Sequence, residues 1–488
     1  MVIPVVALAA VLVRLLPLLF GDGLLSWGRY DDGVYYAASA SLLDGRMPYR
    51  DFVLLHPPLI ALVLLPFTLL GRLTTDPIGL VTARLTWMAL GALAAVLAAR
   101  FAGRWGALPA LAAGLWVACS AETSYASQST FIEPVADLAL LGGLILLSCD
   151  RERPRHELVG GLLLGLALTG KIWYVAPVGV LLLVMLLGRR YRSTLRAGGA
   201  AAVTACAILL PFFALAPRQM WHMVVYDQLS RHADGKAGFL GRLGVAVGGR
   251  YLHLSPHLAD VVAVLATIVV AAGIAACLRH RPSRPMAAVA LTTLVVLVAS
   301  PSIFRHYGSF SSAPVGISLG VGWVLVARRL RAARPALSTR STVVLRSLAI
   351  AGLVVVLAGG GVLITHPDHR LFPRQQVEAV LPHAGCITSD NPVTLEITDR
   401  LSSDLRAGCP LPVDVTGESY GVSEPRRNDL AYLVWLQQYL RSGSTIILAR
   451  HAGDGLEQQA IRGLGTPLFH HGTVTVIRPD PSRTPSAG

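Results

Sequence analysis

The stretch from Arg29 to Phe67, RYDDGVYYAASASLLDGRMPYRDFVLLHPPLIALVLLPF, sets two adjacent carboxylates, a tyrosine-rich segment and a His-Pro-Pro between the first two apolar blocks of the chain. Charged groups close to a bilayer are costly and need a reason. The surroundings of the stretch say what kind of chain carries it. Of 488 residues, 53% are apolar and 14% charged, and uncharged windows of about 18–24 residues recur, which excludes a soluble globular protein. A net charge of +14 would suggest nucleic acid if it formed one basic patch. The arginines instead form short clusters between apolar blocks: Arg100 and Arg104; Arg151, Arg153 and Arg155; Arg189, Arg190, Arg192 and Arg196; Arg279, Arg281 and Arg284; Arg328, Arg329, Arg331, Arg334 and Arg340. These read as successive cytoplasmic loops under the positive-inside rule, and no nucleic-acid partner is expected.

That rule orders the spans. Ile3–Phe20 leads out to a first outer loop, residues 21–77, in which the short, Pro-led Pro57–Leu70 is either a span or a helix at the outer interface; a crossing would put every later Arg cluster outside, so the interfacial reading is preferred. Ile78–Ala99, Leu108–Ala118, Pro134–Ser148, Leu158–Thr169, Tyr174–Leu187, Ala197–Ala216, His257–Leu278, Met286–Ser300, Ala313–Ala327 and Val343–Thr365 follow. With the first block they make about eleven transmembrane helices, with residues 1–365 as one membrane domain.

After Thr365 the long apolar runs stop. Residues 366–488 alternate strand-like segments (CITSD, STIILAR, VTVIRP) with an amphipathic helix, RNDLAYLVWLQQYLRSG, and read as an extracytoplasmic α/β domain. Cys386 and Cys409 are the two cysteines of this tail, a candidate disulfide in an oxidising exterior. No zinc-ligand spacing is present. The first apolar block lacks a basic leader and a small-residue cleavage site, so it reads as a retained span.

The chemistry is therefore sought on the outer face, where Asp31, Asp32 and His56, then Glu122 and Glu133, Lys171, the run Asp227–Lys236, and Arg305, His306 and Tyr307 lie between apolar blocks. A carboxylate there can take a proton from an attacking hydroxyl while Arg and Lys neutralise a leaving phosphate. Each residue also has a plain reading. Asp31 and Asp32 suit the N-terminus of a helix beginning near Gly33, Lys171 can snorkel, Arg305 can meet lipid headgroups, and Asp227–Lys236 can be a solvated loop.

The pattern of an acidic pair, Gly and Tyr, then G-x-x-P-Y-x-D-F and H-P-P-L resembles the first outer loop of GT-C superfamily membrane glycosyltransferases. The likeness is to the protein O-mannosyltransferase and lipid A aminoarabinose transferase group and its bacterial polysaccharide relatives. TSYASQSTFIEPVADLALL and GGLLLGLALTGKIWYVAP resemble the group's second outer loop and Gly-rich helix ending in Lys. The resemblance implies an all-α GT-C membrane bundle. It also implies transfer of a sugar, usually with inversion, from a polyprenyl monophosphate to a polysaccharide, lipoglycan or protein acceptor at the outer face of the plasma membrane. Carried over by position, the base falls on Asp31 or Asp32, with Asp32 slightly ahead; Glu133 and Tyr35 fall to the acceptor, and His56, Lys171, Arg305, His306 and Tyr307 to the donor phosphate. Leu55 stands where the aminoarabinose enzymes carry a metal-binding carboxylate, so no cofactor is implied with certainty and a divalent metal stays an open alternative. A transporter would show internal repeats and ionisable groups near the middle of its spans. A noncatalytic scaffold would tolerate loss of both first-loop carboxylates.

Overall fold

The structure, a computed structural model, describes residues 2–19, 23–27, 29–148, 153–230, 238–248, 255–333, 371–420, 428–450, 456 and 458–480. Its helices before the tail are α1 (Val2–Leu15), α2 (Tyr30–Leu43), α3 (Leu59–Leu73), α4 (Asp76–Ala102), α5 (Ala107–Cys119), α6 (Ala121–Ser127), α7 (Glu133–Leu147), α8 (Pro154–Leu168), α9 (Val175–Leu187), α10 (Tyr191–Leu215), α11 (Pro217–Trp221), α12 (Asp227–Ser230), α13 (Phe239–Ala246), α14 (Pro256–Leu278), α15 (Arg284–Ala299) and α16 (Ser309–Ala333). Six helical stretches among the described residues are long and apolar enough to cross a membrane: Val2–Leu19, Asp76–Trp105, Tyr191–Leu215, Pro256–Leu278, Arg281–Ala299 and Arg305–Leu330.

These six overlap six of the eleven expected spans. Four expected spans form as α5, α7, α8 and α9, of 13, 15, 15 and 13 residues, short of the about 20 residues a helix needs to cross the hydrocarbon core. They lie where the sequence placed short apolar runs, and they end at Ser120, Ser148, Thr169 and Gly188. The expected last span, Val343–Thr365, and the expected domain boundary at 365/366 lie outside the described residues.

The chain divides into two compact units, and the tail is not a unit by itself. One comprises Met1–Leu18, Thr86–Leu209 and Ala233–Asp368; the other comprises Leu19–Leu85, Leu210–His232 and His369–Gly488. In the first, small residues let helix backbones approach, as association without a hydrophobic drive requires. A Cβ on Gly161 would stand 2.3 Å from the Ala197 carbonyl, and one on Gly322 would stand 2.4 Å from the Gly273 carbonyl. The Gly-rich character of α8 is thus a packing feature. Arg14 in α1 is fully buried, its Nε donating to Ser127 Oγ at 2.8 Å and its Nη1 to the Ala118 carbonyl at 2.8 Å, as an arginine within a span must be.

In the second unit the first loop folds against the tail. The G-x-x-P-Y-x-D-F motif is a tight turn: Asp51 Oδ2 accepts the Met47 N–H at 2.7 Å, and Tyr49 adopts a left-handed φ of 69°. The Tyr49 hydroxyl donates to the His56 carbonyl at 2.7 Å. Strands β1 (Ile387–Ser389), β2 (Thr445–Leu448), β3 (Gly465–His471) and β4 (Val474–Pro479) form one sheet in the order β1-β2-β4-β3, with β1 and β2 parallel and the other pairs antiparallel. The amphipathic helix Leu430–Arg441 lays Tyr432, Leu436 and Leu440 against Ile446, Leu448 and Ile477 of the sheet. A disulfide joins Cys386 to Cys409. The chain between them forms the short helices Val393–Ile397 and Leu401–Arg406.

Val393–Ile397 sits on the first turn of α2. A Cβ on Gly33 would fall 2.4 Å from the Val393 backbone nitrogen, where no flexible side chain can yield. We therefore expect Gly33→Ala to destabilise the protein by about 1–3 kcal/mol through overpacking, read as a lowered thermal midpoint in detergent. A wild-type midpoint would contradict the close approach.

Candidate functional site

The acidic pair lies within the first turn of α2, which starts at Tyr30 rather than near Gly33. Arg29 holds the N-cap position in extended backbone, and Asp31 and Asp32 place negative charge at the positive helix end. The two carboxylates have different surroundings. Asp32 is fully buried and pairs with Arg84, whose Nε donates to Asp32 Oδ2 at 3.0 Å and whose Nη2 donates to the same oxygen. Arg84 Nη1 also donates to the Leu24 carbonyl at 2.7 Å and the Ser26 carbonyl at 3.0 Å. Asp31 is half-buried. Tyr35, one turn on, is buried, and the His56 ring meets it edge-on at 6.0 Å between centroids.

Tail residues hold this turn from another side. The Tyr30 hydroxyl donates to Asp414 Oδ1 at 2.9 Å and accepts the Thr416 N–H at 2.8 Å, while the Arg450 guanidinium lies 3.9 Å from the centre of the Tyr30 ring. Asp76 accepts the Ser402 N–H at 2.8 Å, and its own N–H donates to Asp399 Oδ1 at 2.8 Å.

The other unit gathers several of the remaining candidates. Lys171 Nζ donates to Glu133 Oε1 at 2.8 Å, and His306 Nε2 lies 3.8 Å from the same oxygen. Lys171 and Glu133 are each only 2% exposed, so the ammonium forms a desolvated ion pair rather than snorkelling to an interface. The Lys171 ammonium also lies 4.0 Å from the centre of the Tyr307 ring and 4.3 Å from that of Trp173, a cation–π arrangement. His306 stacks on Phe131 at 4.2 Å. Arg305 is half-buried, with its guanidinium 4.8 Å from the centre of the Tyr125 ring. One turn along α7 from Glu133, Asp137 accepts from the Tyr174 hydroxyl and from Ser309 Oγ, each at 2.7 Å. Of the run Asp227–Lys236, Asp227 opens α12 and residues 231–236 lie outside the described residues.

Sequence reasoning passed over Arg84 and Asp137. Each had a signal, being a lone charge inside an apolar segment, which in a membrane needs a partner. Among the described residues no group of three or more His, Cys, Asp and Glu side chains is arranged to hold a metal ion.

Two tests follow from these environments. Arg84→Ala removes the buried cation paired with Asp32, at an expected cost of about 3–5 kcal/mol; unchanged thermal stability of the variant would contradict the pairing. Glu122, fully buried, accepts from Ser120 Oγ at 3.0 Å, and burial pushes its carboxyl up to about 7. A raised folded-state value means that its contribution to stability is lost as pH climbs from the ordinary glutamate range through about 7. Glu122→Gln should flatten the dependence of unfolding free energy on pH over that interval by about 1–3 kcal/mol, and a slope identical to wild type would refute the assignment.

The family model of glycosyltransferase family 87 matches residues 54–301. No curated protein sequence matches the chain. Among solved structures, Cupriavidus metallidurans ArnT bound to undecaprenyl phosphate is similar at a TM-score of 0.61 and 15% identity, covering 99% of each chain. Its apo state is similar at 0.60 and 14%, covering 97% of each. Archaeoglobus fulgidus oligosaccharyltransferase AglB, in complex with an inhibitory peptide and a dolichol-phosphate, is similar at 0.58 and 10%, covering all of this chain and 74% of that one.

Proposed function

Because the chain belongs to glycosyltransferase family 87 and is a multi-pass membrane glycosyltransferase of the GT-C superfamily, we propose that it moves a sugar from a polyprenyl monophosphate to a hydroxyl of a cell-envelope acceptor on the outer face of the plasma membrane, with inversion. The observation that carries the reading is the division of labour within the acidic pair. Asp32 is fully buried, pairs with Arg84 and fixes the first turn of α2, and the general base is assigned to Asp31, the more exposed of the two. This reverses the sequence-based preference for Asp32. The ArnT and AglB structures contain polyprenyl and dolichyl phosphates, which supports a lipid phosphate as the leaving group. Placement outside the membrane is supported by the Cys386–Cys409 disulfide, a bond that persists in oxidising compartments.

In this mechanism Asp31 removes the proton of the acceptor hydroxyl as it attacks the anomeric carbon. The lipid phosphate departs with the electrons of the glycosidic bond, and cations offset its growing charge. Arg305 is the half-buried cation of the second cluster and the first choice for contact with phosphate. Lys171 and His306 share Glu133. They form a neutralised, preorganised group assigned to the donor phosphate, and Glu133 and Tyr35 are assigned to the acceptor. His56 flanks Tyr35 and is assigned to phosphate.

The test is turnover of a panel of polyprenyl-phosphate sugars by purified protein in nanodiscs. Asp31→Asn should lower turnover by about 10²–10⁴-fold with thermal stability unchanged, whereas Asp32→Asn should lower both. Wild-type turnover by Asp31→Asn would remove the base from Asp31. A folded protein that turns over no donor yet binds envelope polymer would favour a scaffold.

A further inference from the structure

The segment between the two tail cysteines carries a carboxyl group that the mechanism above does not use. Glu396 lies in Val393–Ile397, the short helix whose backbone packs directly on Gly33. The residue is fully buried, and among the described residues neither of its carboxylate oxygens has a hydrogen-bond partner. A buried polar group with no partner is rare, and a buried charge with no partner is rarer because its desolvation is not compensated. Around it are Asp32 and Tyr36 from α2 and Asp76 and Arg84 from α4, with Asp399 and Asp404 on its own stretch of chain acting on the same group of charges. The one cation among these, Arg84, already donates to Asp32 and to two carbonyls.

We propose that Glu396 is a positioning residue for the first-loop base, held as a neutral carboxylic acid so that Arg84 stays wholly committed to Asp32 and the turn carrying Asp31 keeps its place. This rests on the assignment of Asp31 as the base. An ionised Glu396 would put a second carboxylate in competition for one guanidinium, beside Asp76, in a site without water-like screening. Burial, then the charge of Asp32, against the pull of Arg84, and then Asp76 hold the Glu396 carboxyl well above the ordinary glutamate range. The proton therefore stays on through the pH range in which an exposed glutamate loses it. The tail thereby supports the first-loop base through Glu396 as well as through its contacts to Tyr30 and Asp76.

The experiment uses the full chain in nanodiscs and has two arms. In the first, infrared spectra of wild type and Glu396→Gln are compared across pH. The wild type should show a protonated carboxyl stretch at neutral pH that Glu396→Gln lacks; an ionised carboxylate there overturns the proposal. In the second, kcat and KM for a polyprenyl-phosphate sugar are followed with pH. Wild-type kcat should fall on the alkaline side, at the pH where the infrared band is lost, with KM for the donor held. Glu396→Gln, which mimics the neutral acid, should lose that fall. Glu396→Ala should lower kcat by about tenfold or more at every pH, equivalent to about 1.4 kcal/mol. A kcat profile of Glu396→Gln that falls as wild type does overturns the positioning role. Asp31→Asn, measured beside them, separates the two readings: if it turns over normally, the base assignment fails whatever Glu396 does.

Discussion

Arg84 commits its guanidinium to one carboxylate and two carbonyls, and the geometry of the first loop depends on that commitment. The side chain comes from the first part of a long apolar helix, yet its partners are Asp32 on α2 and the carbonyls of Leu24 and Ser26 on the chain leading into it. Three pieces of chain that share no hydrophobic pattern are therefore held by one cation. A buried pair of this kind adds little net stability over a well-packed apolar substitute, but losing one member is costly. Its value lies in fixing which rotation of α2 is allowed, and hence where each member of the acidic pair is placed.

Much of this was legible in the sequence, for identifiable reasons. The tail strands at Ile387–Ser389, Thr445–Leu448 and Val474–Pro479 and the helix Leu430–Arg441 follow from short β-branched runs and an amphipathic period. These are local signals. The different surroundings of Asp31 and Asp32 were not legible, because adjacent residues in a helical turn point in directions about 100° apart and the pairing of Asp32 with Arg84 is a contact distant in sequence. Hydropathy also placed the apolar helices: six of the expected spans are long helices and four are short ones at the expected positions. The ends of α5, α7, α8 and α9 are set by local capping and turn geometry.

The motif that identified the first loop turns out to be largely architectural. Within G-x-x-P-Y-x-D-F, Asp51 caps a turn and Tyr49 ties it to the His56 carbonyl. Gly33, beside the acidic pair, gives the tail backbone room to approach. Family patterns of this type record the scaffold as faithfully as the chemistry. Residues carried over from them need a structural check, one by one, before a role is assigned.

The union of first loop and tail also constrains how the molecule is made. Tyr30 and Asp414, which share a hydrogen bond, are separated by 384 residues, and Asp76 and Ser402 by 326. Contacts so distant along the chain form late and slowly, since loop closure must precede any reward. The loop leaves the ribosome first, and its partner residues follow only 326 to 384 residues later. During that interval Gly33 and its neighbours have no Val393 to pack against. A ribosome that stalls before the tail is complete would release a membrane bundle whose first loop had never been assembled.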